Sequence, residues 1–122
     1  MKKIFMIISL LISVISFSFV DGQYSVKKNN GNTIAVMKMI CKNGKILYVS
    51  FDEQYSSGKS VKLEDKSFAN QEMRVSSHVV MRNSIDNINI DFKNSAYSND
   101  FKQLYKFLEN KAKNGEKGDF TI

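Results

Sequence analysis

The chain of 122 residues has no proline and no tryptophan, and it has one cysteine and one histidine. Because Cys41 is alone, no disulfide can form within the chain, so either the core suffices for stability or Cys41 pairs with another chain. A Cys/His nucleophile pair would require Cys41 to meet His78, and it is not expected, because Cys41 is predicted to lie in a strand packed on both faces, where a thiolate is poorly stabilised. No local signature supports a Ser-His-Asp set around His78 either. The sequence therefore predicts no catalytic residues.

The first residues have the pattern of an export signal. Lys2 and Lys3 precede an uninterrupted run of apolar and hydroxyl residues from 4 to 20, and a cationic start before such a run is typical of a secretory signal peptide. A membrane-spanning helix needs about 20 apolar residues, whereas this run is shorter and contains serines. We therefore predict a cleaved signal peptide, with a cut after Gly22 preferred to one after Ser18.

The predicted signal peptide, residues 1–22, leaves residues 23–122, a length that holds one small domain with a modest core. The whole chain has a formal net charge of +6 at pH 7, which favours acidic partners without identifying one. No asparagine lies in an Asn-x-Ser/Thr acceptor, which extracellular eukaryotic domains often carry. The sequence thus predicts an exported protein of the bacterial periplasm or the medium, with no stable membrane insertion after signal cleavage.

The clearest structural feature is a β-hairpin. Asn43-Gly44 lies between two apolar runs, 33–42 and 45–51, and Asn-Gly suits a two-residue turn because both central residues need positive φ. Counting from this turn gives a register. The predicted pairs are Cys41 with Ile46, Ile40 with Leu47, Met39 with Tyr48, and Val36 with Phe51. Apolar residues then fall on both faces, which predicts two central strands and a buried Cys41.

Three further segments alternate between apolar and polar residues, which is typical of half-buried strands. They are residues 60–64, 73–82 and 87–92. In the second segment, the residues that share one side are Met73, Val75, Ser77, Val79 and Met81. In the third, the inward residues are Ile88, Ile90 and Phe92. Each segment is therefore predicted to be a strand.

From Ser98 the apolar residues follow the period of a helix. They are Phe101, Leu104, Tyr105, Leu108 and Ala112. Ser98 or Asn99 is able to cap the start, Asn114-Gly115 ends the helix, and the tail over 115–122 is predicted to fray. The predicted fold is α+β, an antiparallel sheet of about four to six strands with one C-terminal amphipathic helix packed on a face.

The most distinctive cluster is Arg74, His78 and Arg82, which holds both arginines and the histidine of the chain. A spacing of four keeps the three residues on one face of either a strand or a helix. The planar guanidinium suits carboxylates and phosphates. We predict that these residues form an anion-binding row, and the alternative is a solvated face without a specific role.

The oxygen-rich segment from Asp86 to Asp91 does not match a calcium loop. Ile88 and Ile90 occupy places where such a loop has its ligands and its bend. The sequence therefore predicts no metal ligands, and it contains no motif that predicts a cofactor.

By elimination, the sequence favours a small exported non-enzymatic protein that binds an acidic partner protein, for example as an inhibitor or immunity-type neutraliser of an exported hydrolase or toxin. Two alternatives stay open. One is a basic surface or matrix component that binds acidic polymers, and the other is a small hydrolase with His78 as its base. Nucleic acid is not an expected partner, because aromatic residues do not interleave with the basic ones. The sequence does not indicate the oligomeric state.

Overall fold

The computed structural model describes residues 18–122, and the predicted signal peptide up to residue 17 lies outside this range. The elements are β1 (Gly22–Asn29), β2 (Thr33–Lys42), β3 (Lys45–Tyr55), α1 (Val61–Glu64), α2 (Lys66–Arg82), α3 (Ser95–Lys113) and β4 (Gly118–Thr121). Within the described range the strands form one sheet in the order β3-β2-β1-β4, in which β4 runs parallel to β1 and the other pairs are antiparallel.

The predicted α+β class is confirmed, but two details of the architecture differ. The sheet has four strands and is mixed rather than antiparallel, and two long helices pack on it instead of one. The helices share one face of the sheet, because Phe51 of β3 contacts both Phe68 of α2 and Phe101 of α3. None of the helices in residues 18–122 is long and apolar enough to cross a membrane.

The predicted hairpin is confirmed at its turn. Asn43 and Gly44 both have positive φ, and Cys41 pairs with Ile46 as predicted. A bulge after Ile40 then shifts the register by one residue. The observed pairs are Ile40 with Tyr48, Met39 with Val49, and Val36 with Asp52. The other predicted pairs are wrong, because counting from the turn cannot anticipate the extra residue of a bulge. In addition, of the two hairpin strands β2 is central as predicted, whereas β3 lies at the sheet edge.

The segments predicted as strands at 60–64 and 73–82 are helical. Asp65 caps α2 by accepting the N–H groups of Ser67 and Phe68, and α2 ends at Asn83 in the left-handed conformation. These caps outweigh the strand propensity of the valines in α2. The helical period also separates residues that would lie on one side of a strand. Val75 and Val79 are buried, whereas Met73 and Met81 are exposed.

The segment predicted as a strand over 87–92 pairs with no other strand. Asn87 has a φ of 61°, a left-handed conformation that a strand does not contain. The predicted alternation of burial is nevertheless present, since Ile90 and Phe92 are buried and Asn89 and Asp91 are exposed. The alternation arises because this connection lies along the core between α2 and α3.

The C-terminal helix is confirmed, and all five apolar residues of its predicted stripe are buried. It begins earlier than predicted, because Asn94 caps it by accepting the Ala96 N–H at 2.9 Å. The tail predicted to fray forms β4 instead. Ile122 N–H donates to the Lys27 carbonyl at 2.8 Å, and the Phe120 ring lies 5.5 Å from that of Phe107.

Phe19 belongs to the folded domain although it precedes the preferred cleavage position. Its side chain is 5 % exposed, its backbone bridges to Gly44, and the carboxylate of Asp21 accepts the Asn43 N–H at 2.7 Å. A cut after Gly22 removes these contacts, whereas a cut before Phe19 keeps them.

We therefore expect a chain that starts at residue 23 to be less stable than one that starts at residue 19. The loss of a buried phenylalanine costs about 3 kcal/mol. Urea denaturation of the two chains measures the difference. Equal midpoints and slopes would mean that Phe19 lies outside the cooperative core.

Candidate functional site

The predicted binding residues Arg74, His78 and Arg82 share one face of α2, as their spacing requires. Arg74 is engaged within the protein, because it forms a salt bridge with Asp91 in the connection between α2 and α3. The Arg74 hydrogen bond holds the pKa of the exposed Asp91 carboxyl below its ordinary value. Arg82 is exposed and forms no salt bridge with any residue from 18 to 122. Of the row, Arg82 is therefore the cation available to a partner.

The two residues considered for catalytic chemistry, Cys41 and His78, lie in different surroundings. The half-buried His78 imidazole has no hydrogen bond to a carboxylate or hydroxyl group in the described part of the chain. Cys41 is a buried free thiol whose pKa is raised to about 11, first by burial and then by the charge of Asp21. A thiol in this state is neither ionised nor accessible near neutral pH.

An apolar groove of about 450 Å³ lies between the edge strand β3 and helix α2. Leu47, Met73 and Met81 on its walls are 61, 65 and 77 % exposed. The remaining lining residues are Tyr48, Val49, Ser50, Lys62, Glu72, Ser76, Ser77 and Val80. On the helix side the wall is one stripe at helical spacing. Apolar side chains on both walls of a concave surface are typical of a docking site.

Side chains close most of the β3 edge along this groove. Ile46 N–H donates to Asn83 Oδ1 at 2.6 Å, and Phe51 N–H donates to Glu72 Oε1 at 3.0 Å. Because residues two apart in a strand present their backbone groups in the same direction, the N–H of Val49 also points outward. β3 is an edge strand in residues 18–122, so no further strand lies on this side to accept the Val49 N–H. Val49 itself is only 5 % exposed. The edge is thus closed by side chains on both sides of Val49.

Glu72 is the residue that connects the groove to the core. It is 7 % exposed, and its carboxylate accepts from the Phe51 N–H, from Ser76 Oγ at 3.2 Å and from Lys62, whose Nζ lies at 3.2 Å. A buried carboxylate with several donors is well stabilised. Glu72 therefore protects the strand edge and fixes the spacing between β3 and α2.

The hydrogen bond from Ile46 to Asn83 joins β3 to the end of α2. The residues adjacent in the chain, Lys45 and Arg82, are exposed, and neither forms a salt bridge within the described residues. Neither lines the groove, and helical spacing places Arg82 on the face of α2 that holds Arg74 and His78, away from the groove. The cation that lines the groove is Lys62, which is paired with Glu72.

A polar cleft of about 550 Å³ lies at the N-terminal end of α3. Its lining residues are Lys28, Asn30, Asn32, Thr33, Asn94, Ala96, Tyr97, Asn99 and Asp100. Asp100 is buried and is held by Lys28 Nζ at 3.1 Å and Asn30 Nδ2 at 2.8 Å. Behind the cleft lies Glu53, which is completely buried.

Glu53 and Asp100 form a buried carboxyl pair. Burial and the hydrogen bond with Asp100 raise the pKa of Glu53 to about 8. Thr33 Oγ1 donates to one oxygen of Glu53 at 2.8 Å, and no N–H or O–H of residues 18–122 reaches the other. The proton retained on Glu53 supplies the missing donor, which bonds the Asp100 carboxylate. No group of three or more metal-ligating side chains is present in the described chain.

The groove was not among the predicted sites, and its residues explain why. The strand prediction places Met73 and Met81 on the same side as the valines, and the hairpin prediction places Leu47 in a central strand. The signal present in the sequence was the pair of caps at Asp65 and Asn83, which turns the segment between them into a helix. On a helix, the two methionines leave the buried stripe and face outward.

No family model matches the chain, and no curated protein matches it. Among solved structures, the crystal structure of the CPE2226 protein from Clostridium perfringens is similar, with a TM-score of 0.73. The two chains are 20 % identical, and the alignment covers 85 % of this chain and 97 % of that one. At this level of identity the likeness shows the fold alone.

Proposed function

We propose that this protein is a non-enzymatic binding protein that docks an acidic partner protein in the groove between β3 and α2. The groove is the observation that carries the proposal. Leu47, Met73 and Met81 expose apolar surface that the fold itself does not use, and removal of such surface from water is the main favourable term in protein association.

The partner's acidic character is proposed from the charge of the whole chain. The formal net charge is +6, and Lys45 and Arg82 are exposed without a salt bridge among the described residues. Complementary charge raises the rate of encounter and excludes basic partners. In an exported setting, an inhibitor or neutraliser of a hydrolase or toxin is the role that fits a small protein of this kind.

Replacing Met73 and Met81 by glutamine tests this proposal. Both side chains are exposed, so the double variant is expected to fold, and its affinity for the partner is expected to fall at least about tenfold through lost apolar contact. Capture from the envelope and medium of the source, followed by titration of the retained protein, measures the effect.

Leu63→Gln is the matched control, because Leu63 is 87 % exposed and does not line the groove. It is expected to leave the affinity unchanged. A partner that binds the double variant and the wild-type protein equally would remove the groove from the proposed function.

The alternative of an acidic polymer as the ligand has its own supporting observation. No helix covers the other face of the sheet in the described structure, and Lys27, Lys38 and Lys42 are exposed there without a salt bridge. Binding of this kind falls steeply with salt and depends on these lysines rather than on Met73 and Met81. The capture experiment at moderate salt separates the two functions.

A further inference from the structure

We propose that the chain is processed at the peptide bond between Ser18 and Phe19, so that the exported protein begins at Phe19 and not at Gln23. The step is a hydrolysis in which water adds across this bond and leaves a carboxylate on Ser18 and an ammonium group on Phe19. A signal peptidase is the class of enzyme that carries it out. The inference rests on the predicted signal peptide, moves its end, and is independent of the groove.

Phe19 anchors the first residues of the domain in the core. Its side chain is 5 % exposed and belongs to the main cluster of buried apolar residues. Lys113 Nζ, at the end of α3, lies 5.6 Å from the centre of the Phe19 ring, and the Phe19 backbone bridges to Gly44 in the hairpin turn. Phe19 is therefore held by two parts of the fold that are distant from it in the sequence.

The backbone after Phe19 is also held by the fold. The Val20 N–H donates to the Ala112 carbonyl at 2.9 Å, and the Val20 carbonyl accepts from the Tyr24 hydroxyl at 2.7 Å. Gly22 begins β1 and pairs with Cys41 of β2. A cut after Gly22 would remove these contacts and leave the hydroxyl of the buried Tyr24 without its acceptor. The residues from 19 to 22 are therefore part of the domain and not part of a leader.

The boundary of the fold coincides with a suitable cleavage sequence. Ser18 is exposed, whereas Phe19 is buried. Ser16 and Ser18 are the small residues that a signal peptidase requires just before the cut, and the apolar run from 4 to 15 has the usual length of a signal core, about 7–15 residues. A cut after Gly22 would instead use Val20, whose backbone the fold holds. Sequence and structure thus favour the same bond.

The N-terminus of the exported protein tests the inference directly. The full-length chain is produced in its own source, and the protein in the envelope and medium is analysed by intact mass and by N-terminal sequencing. The expected first residue is Phe19. Any other first residue, including Gln23 or the uncleaved Met1, would overturn the inference.

Ser18→Phe and Val20→Phe separate the two cuts with the same incoming residue. Ser18→Phe removes the small residue before the proposed cut, so loss of the product that begins at Phe19 is expected. Val20→Phe is the control, because Val20 is 41 % exposed and belongs to the small pair of the other cut alone; the start at Phe19 is expected to persist. An undiminished Phe19 product from Ser18→Phe would contradict the proposed bond. The wild-type N-terminus decides the inference even where a variant is degraded.

Discussion

Replacing Glu53 by glutamine is expected to make the domain more stable at pH 8 and to remove most of the pH dependence of its stability below that pH. In the folded protein, burial and Asp100 raise the pKa of Glu53 to about 8 from an ordinary value of 4.5. Glutamine keeps both contacts, since its oxygen accepts from Thr33 and its N–H donates to Asp100. It differs from the protonated acid only in having no proton to lose.

The direction of the pH effect follows from linkage. Between pH 4.5 and about 8, the folded protein holds a proton on Glu53 that the unfolded chain has released, so stability falls as pH rises. The slope approaches about 1.4 kcal/mol per pH unit for one proton. The stabilisation is complete below the unfolded pKa and is lost once the pH exceeds the folded pKa.

Urea denaturation at pH 5, 6, 7 and 8 measures this dependence in the wild-type protein and in Glu53→Gln. Glu64→Gln serves as the control, because Glu64 is an exposed glutamate that undergoes the same chemical change. A wild-type protein whose stability is constant over this range, or a Glu53→Gln variant with the wild-type slope, would contradict the assignment of a shared proton to the carboxyl pair.

Replacing Phe51 by alanine is expected to destabilise the domain by about 3–5 kcal/mol. Its side chain is 1 % exposed and its ring lies 5.9, 5.6 and 5.3 Å from those of Phe68, Phe92 and Phe101. These rings belong to α2, the connection after it and α3. The cavity left by alanine therefore lies where the sheet meets both helices.

Phe107→Ala is the matched control for this prediction. The Phe107 ring is half-buried and packs on Phe120, so its removal is expected to cost about 1 kcal/mol, well below the cost at a fully buried site. Thermal or urea denaturation compares the variants at one pH. Equal destabilisation by the two substitutions would contradict a core centred on Phe51.

Features that depend on local chemistry were predictable from the sequence. The Asn43-Gly44 turn needs residues that tolerate positive φ, and no distant contact is required to form it. The same holds for α3, whose apolar stripe from Phe101 to Ala112 repeats at helical spacing and is buried throughout. Cys41 is buried as its position beside the turn predicted.

Features that depend on long-range contacts were not predictable. The bulge after Ile40 shifts the register, and nothing in the hairpin sequence marks its position. β4 forms because the tail reaches β1, which local composition does not encode. In α2 the valines favour a strand, yet capping by Asp65 and packing against β3 select a helix. The groove depends on all of these features except β4, which explains why the sequence did not predict it.

Site-specific photo-crosslinking is the measurement that tests the docking of a protein in the groove most directly. A photoreactive amino acid at position 81 lies on the groove wall, and one at position 63 lies on exposed surface outside it. With the full-length protein in its own source, we predict that position 81 yields one predominant crosslinked protein and that position 63 does not yield it. Crosslinking of that protein from both positions alike, or from position 63 alone, would contradict the proposed docking surface.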